Sequence, residues 1–158
     1  MRRFALAITC ALALSGCGGN APAPAPAVPA AAATQEAVSR IGDVTIRATA
    51  LPTASLSAEV ASRYGLVRDE RTVMLLVAVR QGPEMQETSV PATITAAATN
   101  LSGQRQSIAL RELRSGDLLD YVGTVQTTLP DTLRFDLTIV REGGASSTMQ
   151  FSREFYPL

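Results

Sequence analysis

The stretch "TLRFDLTIV" (Thr132–Val140) sets Leu133, Phe135, Leu137 and Ile139 against Thr132, Arg134, Asp136 and Thr138 in strict alternation. Successive side chains of a β-strand point to opposite faces, so this run reads as a strand with one buried and one wet face. The same period runs through Val44, Ile46, Ala48 and Ala50, and again through Val90, Ala92, Ile94, Ala96 and Ala98. "VMLLVAV" (Val73–Val79) is apolar without alternation, as suits a central strand covered on both faces.

Three further strand segments follow from Ile108 and Leu110 (Arg105–Leu113), from Leu119, Tyr121 and Val125 (Leu118–Thr127), and from Met149, Phe151 and Phe155 (Thr148–Tyr156). Turn signals separate them: "NLSGQ" (Asn100–Gln104), "RSGD" (Arg114–Asp117), "LPDT" (Leu129–Thr132) and "EGGA" (Glu142–Ala145). The Ser-Gly-Asp and Pro-Asp turns are short enough to make their flanking strands antiparallel hairpins. One segment, "SAEVASRY" (Ser57–Tyr64), is helical in character. Ser57 can cap it, Glu59 and Arg63 pair at i,i+4, and Gly65 can end it. The spacing predicts an all-β fold: an immunoglobulin-like antiparallel β-sandwich of about seven strands with one short helix near residues 57–64. A small barrel is the competing geometry.

Upstream of the domain the chain changes character. Met1-Arg2-Arg3 is a positive start, and "FALAITCALAL" (Phe4–Leu14) is apolar all round but far short of the ~20 residues of a spanning helix. Together with the small residues that follow, it reads as a secretory signal. Leu14-Ser15-Gly16-Cys17 resembles the bacterial lipobox, in which a thiol accepts a diacylglycerol and small residues admit the protease. Cleavage between Gly16 and Cys17 then leaves an acylated Cys17 as the first residue, and two or more acyl chains give a stable membrane anchor. Cys10 is removed with the signal, so no disulfide is expected within the domain. Arg2 and Arg3 go with it, leaving 12 basic residues against 14 acidic.

"APAPAPAVPAAAA" (Ala21–Ala33) cannot sustain a helix, because each Pro lacks an amide donor and disfavours the helical state of the residue before it. As polyproline II it would span about 40 Å. The expected organisation is therefore a signal peptide (1–16), a lipidated Cys and Ala/Pro tether (17–39) and a β-sandwich domain (40–158). Gly18 stands where an inner-membrane retention signal would have Asp, which points to the outer membrane, facing the periplasm.

The chemical inventory is sparse. The sequence has no His and no Lys, and its 14 Arg balance 14 Asp and Glu. That balance argues against a nucleic-acid partner, which needs a basic stripe. No nucleophile–base pair, Gly-x-Ser-x-Gly turn or phosphate-cradling loop appears. No metal site or cofactor is expected, since the usual Cys and His ligands of zinc are missing. Glu112, Asp117 and Asp120 lie close in sequence around one hairpin and form the one carboxylate cluster that could run glycoside hydrolysis or hold calcium. Arg111 and Arg114 stand beside them as possible partners. Tyr64, Tyr121 and Tyr156 read as core or boundary residues.

Five blocks in order, "ALPTASLSAEVASRYGLVR" (Ala50–Arg68), "ATNLSGQ" (Ala98–Gln104), "IALRELRSGDLLDYV" (Ile108–Val122), "DTLRFDLTIV" (Asp131–Val140) and "FSREFY" (Phe151–Tyr156), resemble the bacterial family known as domain of unknown function 4426. The resemblance implies an immunoglobulin-like envelope sandwich and brings no reaction, ligand or catalytic residue. The expected function is non-catalytic: binding an envelope protein or peptide, with the membrane held through acyl chains on Cys17. The alternatives are a carboxylate-dependent hydrolase and a small-ligand or lipid carrier.

Overall fold

A computed structural model describes residues 36–158. The signal peptide, the Gly16–Cys17 cleavage and lipidation site and residues 17–35 of the expected tether lie outside the described residues; residues 36–39, also expected in the tether, are strand, so the domain reaches back before residue 40. Ten strands and one helix follow in the order β1 (Glu36–Ile41), β2 (Val44–Pro52), α1 (Ala58–Arg63), β3 (Thr72–Gln81), β4 (Thr88–Ser89), β5 (Ala92–Thr99), β6 (Arg105–Ile108), β7 (Arg111–Ser115), β8 (Leu118–Gln126), β9 (Asp131–Arg141) and β10 (Ser146–Phe155). One sheet has the order β1-β2-β3-β8-β7, with β4 added to β3; the other has the order β10-β9-β5-β6. Every pairing is antiparallel. The two sheets stack as a sandwich, not a closed barrel.

Alternation builds the core. Leu133, Phe135, Leu137 and Ile139 are buried, and they meet Val44, Ile46, Val73, Leu75, Val77 and Val79 from the facing sheet. Phe135 stacks on Phe151 with ring centroids 5.0 Å apart and takes Phe155 edge-on at 6.5 Å. Tyr121 crosses the sandwich: from β8 its phenol oxygen accepts the Ala92 N–H at 2.8 Å in the other sheet. Tyr121→Phe should therefore cost about 1 kcal/mol, because it strands that amide. A denaturation midpoint equal to the wild type's would show that the bond contributes nothing.

The unbroken apolar run is β3, and it is covered twice. Its inner residues fill the sandwich, while Met74 on the outer face packs with Leu56, Ala61 and Val122 beneath α1. That helix has the expected ends. Ser57 Oγ accepts the Val60 N–H at 3.2 Å, Arg63 reaches Glu59 at 2.8 Å, and Gly65 takes φ +59 just past the last turn.

Three expectations are corrected. The described residues hold ten strands rather than about seven. Strand β1 adds one; its residues face water on much of both sides, Val38 and Ile41 included, so no alternation marks it. The segment Arg105–Leu113 is two strands in different sheets, β6 and β7, bent at Ala109–Leu110. The "LPDT" turn joins β8 to β9 and so passes from one sheet to the other instead of closing a hairpin. Its corner is tied by Thr127, whose N–H donates to the Arg71 carbonyl at 2.8 Å and whose Oγ1 donates to Asp131 at 2.7 Å.

Candidate functional site

The hairpin β7–β8 carries the three singled-out carboxylates and separates them. Ser115 pairs with Leu118 across a two-residue turn, which sets Glu112 opposite Tyr121 and Asp120 opposite Leu113. Directly opposed residues share a face, and neighbours along a strand do not. Glu112 is therefore on the face that Tyr121 buries, and Asp120 is on the outer face. Asp117 is exposed in the turn between them. The carboxylate cluster is corrected accordingly: the hairpin does not bring Glu112, Asp117 and Asp120 together into one site.

Each group has other work. Glu112 accepts from Arg114 at 2.8 Å in solvent. Asp120 accepts from Arg80, whose other terminal nitrogen donates to the Leu119 carbonyl at 2.8 Å and the Val79 carbonyl at 3.2 Å. Arg80 is only 8% exposed. Arg111 donates not to a carboxylate but to the Tyr64 carbonyl, pinning the end of α1 to β7. Tyr121 is core, Tyr64 is half-buried and Tyr156 is exposed with its hydroxyl on Glu154 at 2.8 Å.

A second ion pair on the same outer face escaped the sequence. Arg47 of β2 grips Glu87 with two bonds, 2.7 and 3.1 Å, and so holds the 82–87 loop against the sheet. The Arg47 guanidinium, by hydrogen bond and charge, draws the Glu87 carboxyl below its ordinary range, and Glu87 in turn raises Arg47. Arg40 adds a more exposed tie to Glu84 at 2.9 Å. Nothing in the sequence pairs residues forty positions apart; the loop after β3, folded back beside the sheet, brings them together.

A cleft of about 650 Å³ opens where the β5–β6 turn, the β8–β9 crossover and Arg71 meet. Gln104, Gln106, Gln126 and Ser102 line it. Asp131 also borders it, but its carboxylate is engaged by Thr127 Oγ1 and its own strand's Thr132 N–H at 2.8 Å. Gln106 Nε2 donates to the Gln126 carbonyl at 2.9 Å, and Gln126 Nε2 to Thr72 Oγ1 at 2.9 Å. The cleft thus presents a guanidinium, amides, hydroxyls and the Asp131 carboxylate: a hydrogen-bonding surface. No buried side chain of the hydrophobic core lines this cleft or three smaller ones among the described residues.

The fold recurs in solved structures. A DUF4426 family protein of Pseudomonas aeruginosa PAO1 superposes with a TM-score of 0.67 at 23% identity, over 78% of this chain and 97% of that one. FetP of uropathogenic Escherichia coli strain F11, expressed recombinantly in the periplasm, gives 0.56 at 13% identity, over 77% and 94%. A copper-bound variant of FetP gives 0.55 at 11%, over 78% and 92%. At these identities the likeness is one of fold. No curated protein matches the sequence. The family model for domain of unknown function DUF4426 matches residues 38–157, from the first strand past the last, and the chain belongs to that family.

Proposed function

We propose that the chain is a lipid-anchored protein of the cell envelope whose sandwich binds another envelope component and catalyses no reaction of its own. The observation that carries this reading is Leu14-Ser15-Gly16-Cys17, in register at the end of a short apolar run and followed by an Ala/Pro spacer. The dispersal of Glu112, Asp117 and Asp120 and the polar, hydrogen-bonded lining of the cleft support it. So does the periplasmic expression of the FetP neighbour. In this reading the anchor sits in the outer membrane and the domain faces the periplasm.

Copper, named for the FetP variant, does not transfer. The chain has no His, and a soft copper site would need thioether or thiolate ligands together. Among the described residues the sulfur side chains are Met74 under α1, Met149 in the sandwich core and Met85, fully exposed on the 82–87 loop. These do not meet.

Two experiments test the reading. Fractionation should find the wild type with outer membranes and Cys17→Ala released from them, since the acyl chains supply the attachment; equal membrane association of the two refutes the anchor. Crosslinking in cells followed by affinity capture should recover a reproducible partner. A partner set identical to that of a chain lacking residues 40–158 refutes the binding role.

A further inference from the structure

Strand β10 is ten residues long and forms one edge of its sheet, paired with β9 on one side and, among the described residues, with nothing on the other. A long free edge is a template for pairing with a second chain. From Ser146 to Ser152 it carries no charge and no proline, and Thr, Met and Phe within it suit a strand. By composition this edge invites a copy of itself.

One residue breaks the pattern. The inward register of β10 runs Ser147, Met149, Phe151, Arg153, Phe155, and the four others in it are buried or half-buried. Arg153 lies over the Phe151 ring, 5.3 Å from its centroid, and turns one terminal nitrogen to the Ser152 carbonyl at 2.9 Å. Its Nε is buried and has no hydrogen-bond partner. No carboxylate among the described residues comes within ion-pair distance of it. A half-satisfied guanidinium at an inward position is a cost to the fold that the fold itself does not explain.

We propose that Arg153 guards the β10 edge against pairing with β10 of a second copy. The geometry gives the reason. An antiparallel pair related by a twofold axis normal to the sheet sets inward residues against inward residues. In any such register Arg153 meets Ser147, Met149, Phe151, Arg153 or Phe155 of the other copy, and none is acidic. At a free edge the guanidinium bends out to water along its own stem. Beside a second strand that route is closed, and the charge is buried unpaired or against its own kind, a loss that removes the gain from new backbone bonds. Glu154, the strand's other charge, faces outward and cannot reach across to relieve it.

Sedimentation of the full chain in a non-ionic detergent tests this. The wild type should be monomeric, and Arg153→Val should associate at least tenfold more tightly. Arg153→Thr, a milder change that keeps a strand-forming residue, should move the same way, so failure of the valine variant to fold leaves the test intact. Arg153→Lys should remain monomeric. Ser152→Val, the same apolar gain one position away on the outer face, should remain monomeric as well. A wild type already paired through β10 overturns the proposal. So do folded, monomeric Arg153→Val and Arg153→Thr proteins, or a Ser152→Val protein that associates as strongly.

Discussion

Gly123→Ala is expected to destabilise the protein by about 1–3 kcal/mol, and Gly123→Val by more, as overpacking of a tight core does. The expectation has a sharp sign. Gly within a strand is ordinarily a weakness that Ala relieves by roughly 0.5–1 kcal/mol. Gly123 lies inside β8, buried, with no left-handed backbone to excuse it. Yet a Cβ placed there would stand 2.7 Å from the Ala109 carbonyl oxygen, 2.7 Å from Ile108 Cγ2 and 3.1 Å from Leu110 Cδ2. The chain bends at these three residues as it leaves β6 in one sheet for β7 in the other. A methyl side chain could swing aside; the carbonyl of the bend cannot without opening the corner. The absent side chain at 123 is thus what lets one strand cross the end of the sandwich so closely. Thermal or denaturant unfolding of Gly123→Ala beside Thr124→Val, an exposed neighbour expected within about 0.5 kcal/mol of wild type, measures it. An unchanged or raised stability for Gly123→Ala shows that the corner is loose.

That corner also shows where reading by period reaches its limit. Ile108 and Leu110 continue the two-residue rhythm, and both pack against the same core, Ile108 at 5% exposure and Leu110 at its margin. Alternation records which residues face the core, not which strand lies beside them, so a strand that changes sheets keeps its signature. The "LPDT" turn misleads for the same reason: its length fits a hairpin, and only the partners of β8 and β9 show a crossover. Strand β9, buried on one face and wet on the other, is written openly in Leu133, Phe135, Leu137 and Ile139. Strand β1 is nearly silent because an edge with Val38 and Ile41 in solvent has little to hide. The carboxylates fall between these cases. Their closeness in sequence suggested a cluster, whereas a two-residue turn after Ser115 already fixes Glu112 opposite Tyr121 and sends Asp120 to the other face. Turn length, combined with residue parity, was the signal available. The pairing of Arg47 with Glu87 had none.

Asp120→Ala is expected to cost about 2–3 kcal/mol, while Glu112→Ala stays within about 0.5 kcal/mol of wild type. The two residues sit on neighbouring strands of one hairpin and differ in what they leave behind. Glu112 departs from an Arg114 that water already solvates, its side chain 66% exposed. Asp120 departs from Arg80, whose side chain is 10% exposed and whose remaining bonds go to two backbone carbonyls. Removing one partner of a fully buried pair costs about 3–5 kcal/mol; Asp120 keeps 21% of its side chain in solvent, and the expectation is lowered for that screening. Cost of removal is not worth of the pair, because two desolvated charges can be replaced together by apolar groups at little loss. Arg80→Met combined with Asp120→Leu should therefore recover most of the stability that Asp120→Ala loses, coming within about 1 kcal/mol of wild type. Equal costs for Asp120→Ala and Glu112→Ala would remove the buried pair from the account of this fold. A double variant as unstable as Asp120→Ala would show that Arg80 and Asp120 together, rather than the stranded guanidinium, hold β3 to β8 at the sheet's outer face.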